Sequence, residues 1–321
     1  MPEMYTYAVA RLHASENNML SNLDLERLLA ANDMREAMAI LSEKGYDTMN
    51  AQSADAVLEN ERKRLWELIG ELVDDISVFD IFLYENDFHN LKAAVKSVVT
   101  KDDCGNILVP YGTVPAETIV KAVENREFGE LPKFLRDVAE KALMALLETG
   151  DGGLCDIIID KAYLEMLLGC GEKSDIGLIK DYAETTVALC DIKIAARGSR
   201  LGKNAEFFRR SLAECKTLNI EEVGKAASNG FEDFMEYLKG TDYREAADVL
   251  AKSYTAFEKW CDDRIMQEAK KEKNNQFTLA PIFAHILAKE SEFKMVGLVL
   301  TAKQNKLNGD VIRERLRELY V

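Results

Sequence analysis

Long apolar runs, paired cysteines, β-type alternation and proline are all scarce in this chain, and each shortage closes a class of structure. No stretch approaches the roughly 20 consecutive apolar residues that span a bilayer, and Met1-Pro2-Glu3-Met4-Tyr5 lacks the basic and apolar regions of a signal peptide. A soluble chain that meets a membrane only through a partner is therefore expected. The six cysteines (Cys104, Cys155, Cys170, Cys190, Cys215, Cys261) contain no C-x-x-C pair, so neither a disulfide framework nor a zinc site is expected. Val-Ile-Thr runs of period two are nearly missing, and the best, Ile107-Leu108-Val109, is too short to alter the fold class. The three histidines (His13, His89, His285) never pair at i, i+4, and no G-x-S-x-G elbow accompanies them. Satisfied core or surface histidines are the expectation.

What is present points to helices. The 321 residues include only five prolines and 18 glycines, while Leu, Ala, Glu and Lys, all good helix formers, are abundant. A hydrophobic content of 47% supplies a sizeable core. The 56 acids against 41 bases leave a net charge of −15. Phosphate backbones and anionic lipid headgroups would repel such a surface, so general nucleic-acid binding is not expected. A local basic patch facing an acidic partner remains compatible with it.

A helical block recurs three times. Its centre reads Asn90-Leu91-Lys92, then Asp191-Ile192-Lys193, then Met295-Val296-Gly297, at offsets of 101 and 104 residues. At those offsets Phe88, Leu189 and Phe293 coincide, as do Leu91, Ile192 and Val296. A shorter block follows the first two copies (Glu117–Leu135, Ile220–Leu238) and also stands ahead of the first (Leu23–Leu41). Such units are too long for a solenoid repeat and closer in size to small domains. We expect three units, 42–135, 136–240, and 241–321 together with 1–41. If they surround an axis, the two termini lie close together.

The finer pattern predicts a first helix from near Met4, with Tyr5, Ala8, Val9 and Leu12 on one stripe. Asn32-Asp33 is the predicted N-cap of a helix over Met34–Leu41. Ala54 to about Val99 reads as one or two long helices, followed by a polar loop over Lys101–Gly112. Pro115 suits a first helical turn. Thr149–Gly153 is the clearest break. A second break is expected near Gly169-Cys170-Gly171, a loop over Gly198–Asn204, a helix over Ala205–Lys216, and another from Gly240-Thr241-Asp242 to about Glu272. The final helix is predicted to open at Asn308-Gly309-Asp310, with Ile312, Leu316, Leu319 and Tyr320 on one face.

Three constellations invite a chemical reading. Gly198–Lys203 resembles a phosphate loop but has one residue too few between its glycines and Asn204 where Ser or Thr belongs, so a solvated loop is favoured. Asp74-Asp75 with Asp80 resembles one aspartate-rich box of the all-α isoprenoid synthases, which hold magnesium diphosphate with hard carboxylate ligands. The second box is missing, since Asp262-Asp263 is followed by Arg264, and a solvated helix face is favoured. Arg197, Arg200, Lys203, Arg209 and Arg210 form a basic cluster in an acidic chain. It is either a solvated face with weak ion pairs or a docking surface for an acidic partner.

The residues also resemble a known family. Tyr7-Ala8-Val9-Ala10-Arg11, Leu28-Leu29 with the Met34–Leu41 helix, Tyr46, and the Asp87-Phe88-His89-Asn90-Leu91-Lys92 segment are similar to the C subunits of the V/A-type rotary ATPases, relatives of the d subunit of the vacuolar ATPase. Lys303–Tyr320 resembles that family's C-terminal helix. The later copies drift, with Asp191 for asparagine and Met295 and Gly297 for both polar residues. The resemblance implies an all-α funnel of three quasi-equivalent units about a pseudo-threefold axis. Its implied partners are the proteolipid ring and the central shaft subunits, and its implied place is peripheral, on the cytoplasmic face of the membrane. It implies no catalytic residue, metal or cofactor. Arg11, Asn90, Lys92, Arg209 and Arg210 are the expected partner-binding residues. A magnesium-dependent isoprenoid synthase using Asp74, Asp75 and Asp80, or a helical adaptor, are the alternatives.

Overall fold

The computed structural model describes residues 5–49, 53–307 and 309–321, and of Asp310 and Val311 only the backbone. The expected helix start at Met4 and the opening residue Asn308 lie outside the described residues. Among those described the chain is all-helical, with no strand. In chain order the helices are α1 (Thr6–Glu16), α2 (Asn22–Ala30), α3 (Met34–Glu43), α4 (Ala54–Leu72), α5 (Tyr84–Thr100), α6 (Ala116–Glu124), α7 (Lys133–Thr149) and α8 (Gly152–Lys173). There follow α9 (Gly177–Arg200), α10 (Ala205–Ser211), α11 (Ile220–Asn229), α12 (Phe231–Lys239), α13 (Arg244–Lys252), α14 (Tyr254–Lys271), α15 (Ala280–Gln304) and α16 (Gly309–Arg313).

Local chemistry sets most of these boundaries. Ser21 and Asp24 cap α2 reciprocally, each side chain bonding the other's backbone N–H. Asp33 accepts from Glu36 N at 2.9 Å and caps α3 as its sequence position predicts. Ser53, Asp151, Asn204, Asn219 and Ser253 cap α4, α8, α10, α11 and α14 in the same way. Pro115 and Pro132 immediately precede α6 and α7, where a missing N–H costs nothing. Ser253 also divides the pattern expected to run unbroken from Gly240 to Glu272, because its cap starts α14 afresh.

The chain forms two compact units, one of Met1–Ile76, Ile176–Ile179 and Glu245–Val321, the other of Ser77–Asp175 and Lys180–Arg244. In the first unit α15 is the central element. It packs against α1, α2, α3, α4, α14 and α16, and is buried along most of its length, from Ala280 to Ala302. In this unit α2 meets the C-terminal segment, where Arg313 pairs with Glu26 at 2.8 Å and Leu319 N donates to Asn22 Oδ1 at 3.2 Å. In the second unit α5, α6, α7 and α8 share a core that includes Phe88, Leu91, Val95, Ile119, Leu135, Leu143 and Ile159. On this side α10 packs on α8 and α11, and α11 on α12.

Four boundaries differ from the sequence pattern. Helix α8 runs unbroken through Gly169-Cys170-Gly171 to Lys173, because helical backbone bonds outweigh the cost of about 1 kcal/mol per glycine. Helix α9 includes Gly198 and ends at Arg200. A Cβ on Gly198 would lie 2.6 Å from Phe208 Cε1, so this glycine lets α9 and α10 approach closely. Helix α10 stops at Ser211 instead of near Lys216, because backbone N–H groups at Ala213, Lys216 and Thr217 are taken by side chains of α9. Lastly, α16 is only five residues long, and the chain beyond Arg315 has no regular secondary structure. Ile312, Leu316, Leu319 and Tyr320 are all buried as their apolar character requires, but the backbone bonds go elsewhere. Arg317 N donates to Met295 Sδ at 3.1 Å and Glu318 N to Asp263 Oδ1 at 3.1 Å.

Two glycines in the second unit should therefore respond oppositely to alanine. Gly198→Ala is expected to lower stability by about 1–3 kcal/mol through overpacking against Phe208. Gly169→Ala meets nothing within 4 Å and is expected to raise it by about 0.5–1 kcal/mol. Denaturant midpoints of the two variants check both signs.

Candidate functional site

The segment most tightly built in the second unit is the loop between α5 and α6, held by the Asn86–Asn90 stretch. Asn90 is fully buried. Its amide closes a two-way pair with Val109, Nδ2 donating to the carbonyl at 2.8 Å and Oδ1 accepting the N–H at 2.8 Å. One turn earlier Asp87, also fully buried, accepts from Thr113 N at 3.1 Å, Thr113 Oγ1 at 2.5 Å and Val114 N at 3.0 Å. Burial pushes its carboxyl above the ordinary range, while these three bonds pull the other way. Asn86 Nδ2 donates to Tyr111 O at 3.1 Å, and a ring nitrogen of His89 bonds Ile107 O at 2.9 Å. Gly112 is required here, since a Cβ would sit 2.2 Å from Asp87 Oδ1. Tyr111 is held at φ 65°, a left-handed conformation that a non-glycine residue adopts only under such constraint.

The other long helices hold returning chain from the same repeat position. Asp191, aligned with Asn90, accepts Ala213 N at 3.1 Å. Met295, aligned next, accepts Arg317 N through sulfur at 3.1 Å. The grip on a threonine recurs as well. Glu184 accepts from Lys216 N at 2.7 Å, Thr217 N at 2.7 Å and Thr217 Oγ1 at 2.9 Å. Thr217 stands four residues beyond Ala213, just as Thr113 stands four beyond Val109. In α15 the residue aligned with Asp87 is Glu292, whose oxygens take Leu20 N at 2.7 Å and Tyr46 Oη at 2.6 Å. Sequence reasoning singled out Asn90, named Asp87 only as the acid opening the same motif, and passed over Glu184 and Glu292. An acid within an apolar helix stripe is the signal that marks Asp87 and Glu292, both buried, whereas Glu184 is only partly buried.

The partner-binding residues expected from sequence fall in different settings. Asn90 is spent inside, so what this place offers outward is the loop it holds. Lys92 is half-buried and pairs with Asp160 of α8 at 2.5 Å, and Lys96 pairs with Asp156 at 2.7 Å. Arg209 and Arg210 are exposed on α10 and share Glu206, whose carboxyl they hold down to about 2, Arg209 contributing most. They rim a groove of about 750 Å³ with Lys141 and Lys161, floored by Met144, Leu154 and Ile158. Arg200 lies over the Phe231 ring at 4.1 Å and Lys203 over Phe207 at 5.3 Å. Arg11 belongs to the first unit, exposed at the mouth of a cleft beside α4 and α15. Where the first two copies carry Lys92 and Lys193, the third has Gly297, and a Cβ there would lie 3.1 Å from Leu58. The lysine position is surface in the first copy and packed against α4 in the last.

The aspartates of the alternative enzymatic reading do not form a helix face. Asp74 and Asp75 lie in the bend after α4, and Asp80 lies in a 3₁₀ turn over Ile76–Phe82. Among the described residues no group of three or more His, Cys, Asp or Glu side chains is placed to share a metal ion.

The comparison with known proteins agrees with the helical pattern. The family described as ATP synthase (C/AC39) subunit matches residues 8–315. The chain belongs to this family, that of the C subunits of the V/A-type ATP synthases. It is 24% identical to the A-type ATP synthase C subunit of Methanocaldococcus jannaschii, over 98% of this chain and 86% of that protein. Identity is 22% to the V-type sodium ATPase C subunit of Enterococcus hirae, over 83% and 82%, and 23% to the V-type ATP synthase C subunit of Thermus thermophilus, over 95% of each. A C subunit of this kind has partner subunits in a membrane-associated complex, and no described helix here is long and apolar enough to cross a membrane.

Asp191 supplies a pH test. Its Oδ2 is buried with no hydrogen-bond partner among the described residues, and burial pushes its pKa up to about 8. The folded chain thus keeps a proton that the unfolded chain loses near 4. Stability is fully present below pH 4 and is drained progressively up to about pH 8. Asp191→Asn, which installs the amide of the first copy, does not titrate. It is expected to raise the melting temperature relative to the parent at pH 7–8, with the gap closing toward pH 4. Asn90→Ala, in contrast, should cost about 1–3 kcal/mol and speed amide exchange across residues 107–114.

Proposed function

We propose that the chain is a non-catalytic central-stalk subunit that couples the membrane proteolipid ring to the rotor shaft of a V/A-type ATPase, supporting ATP-linked proton or sodium transport. It sits peripherally on the cytoplasmic face, with no cofactor of its own. What carries this reading is the extent of the family match, which takes in residues 8–315 and so leaves almost none of this chain outside it. The names of the relatives, two ATP synthase subunits and a sodium ATPase subunit, support the transport setting.

In this reading the chain comprises three quasi-equivalent helical units, 42–135, 136–240, and 241–321 with 1–41, arranged as a funnel around a pseudo-threefold axis. The repeated acceptor position at Asn90, Asp191 and Met295, each catching one backbone N–H of returning chain, supports the equivalence. Coupling requires stiffness, and close-packed helices with pinned loops supply it. Arg11, Lys92, Arg209 and Arg210 face the ring or the shaft, and Asn90 stands behind its loop as a positioning residue. Charges at such interfaces govern encounter and register more than total affinity.

Reconstitution with purified ring and shaft tests the assignment. Omitting this chain should leave ATP hydrolysis by the soluble head intact but uncoupled from ion movement. Adding the Arg209→Glu/Arg210→Glu double variant should restore coupling only in part, with a slower, more salt-sensitive association. Full coupled pumping without the chain would defeat the proposal.

A further inference from the structure

A cleft of about 370 Å³ opens in the first unit between α1, the turn at residues 44–46, α4 and α15. Its size is at the lower end of small-molecule sites. Its polar floor is unevenly satisfied. Glu292 is fully engaged, since Leu20 N, Tyr46 Oη and Lys289 Nζ occupy both oxygens. Among the described residues Lys289 has this one carboxylate partner, and its ammonium also lies over the Phe293 and Tyr46 rings at 4.9 and 5.2 Å. Four residues before it, His285 is 3% exposed, and its Nδ1 has no hydrogen-bond partner among the described residues. Burial, then the charges of Lys289 and His13, lower its pKa to about 3, so the ring is neutral and its surroundings electropositive. At the mouth Arg11 makes no hydrogen bond or ion pair among the described residues, and the Asn18 amide next to it is also unspent there.

Donors at Arg11 and Asn18 are spare, while the floor keeps few free acceptors. Glu61 Oε1 takes both Arg64 at 2.7 Å and Asp47 N at 3.0 Å, which leaves Oε2 as its remaining acceptor. Glu67 and Glu71 are exposed and lie only on the rim. An arginine fork, an ammonium and a neutral imidazole lining one cleft match an acceptor-rich oxyanion better than a cation or a neutral ligand. We propose that this cleft binds a small oxyanion, a phosphate or a dicarboxylate, through Arg11, Lys289 and His285. The rim carboxylates of Glu67 and Glu71 weaken it by like-charge repulsion. This inference stands apart from the rotary assignment, because it concerns the isolated chain.

The three histidines of this chain make the test direct. Ring ¹⁵N signals of the full-length protein are followed during titration with inorganic phosphate and, separately, with malonate, at ionic strength held constant with chloride. The expected result is a saturable shift of the His285 signal with either probe while His89, in the other unit, stays fixed. Arg11→Ala, an exposed substitution that leaves the fold intact, should weaken the midpoint by about 10-fold, and Arg11→Lys should restore part of it. Saturation by only one probe assigns the ligand class and supports the site. A drift shared by all three histidines, or an unchanged midpoint in Arg11→Ala, would overturn it.

Discussion

A backbone N–H that enters a helical core must find an acceptor, and in this fold the acceptors are side chains of the long helices. Where a segment returns across α5, α9 or α15 it cannot continue as helix without leaving its neighbour. Its amides therefore bond Asn90, Asp191 or Met295 in place of carbonyls of its own chain. Asp87, through both oxygens, and Glu184, through one, each add a grip on a threonine-bearing turn. Loops that would otherwise be soft are thereby fastened to rigid elements. That stiffness is what the proposed coupling role would require, and it follows from hydrogen-bond accounting alone.

The three solutions differ in chemistry because the helices differ in environment. Asparagine at the first position both donates and accepts, so neither amide group is stranded. Aspartate at the second leaves one oxygen without a partner among the described residues and keeps a proton that water would remove. Methionine at the third sits in α15, which is enclosed on nearly every side, and its sulfur is a weak acceptor that burial tolerates. Gly297 follows from the same enclosure, since α4 packs where a lysine would stand. The motif drifts along the chain although its central position is buried in all three copies, so it is the neighbours and not the depth that change.

Much of the fold could be read from residue order. The cap at Asp33, the breaks at Pro115 and Gly150, and the apolar stripes of α4 and α5 are local signals, and helices begin, end or bury their faces where those signals stand. The differences arose where long-range contacts override local ones. Gly169 and Gly198 read as breaks but lie within helices, one because nothing opposes it and the other because Phe208 fills its place. The 212–216 and 316–320 segments read as helix and are not helical, because acceptors on distant helices claimed their amides. The basic residues at 209 and 210 were visible as charge, but the groove they rim required α7 and α8 to assemble first.

The sequence by itself determined the helical class, the repeated block, the absence of a membrane-spanning run and the family to which the chain belongs, because these depend on composition, periodicity and local spacing. Only the tertiary structure decided that Asn90 is buried beneath its loop while Lys92 pairs with α8 and Arg209 is exposed, and that Arg11, His285 and Lys289 line one cleft. Burial and partner choice depend on residues hundreds of positions apart, and no local pattern encodes which amide will meet which side chain.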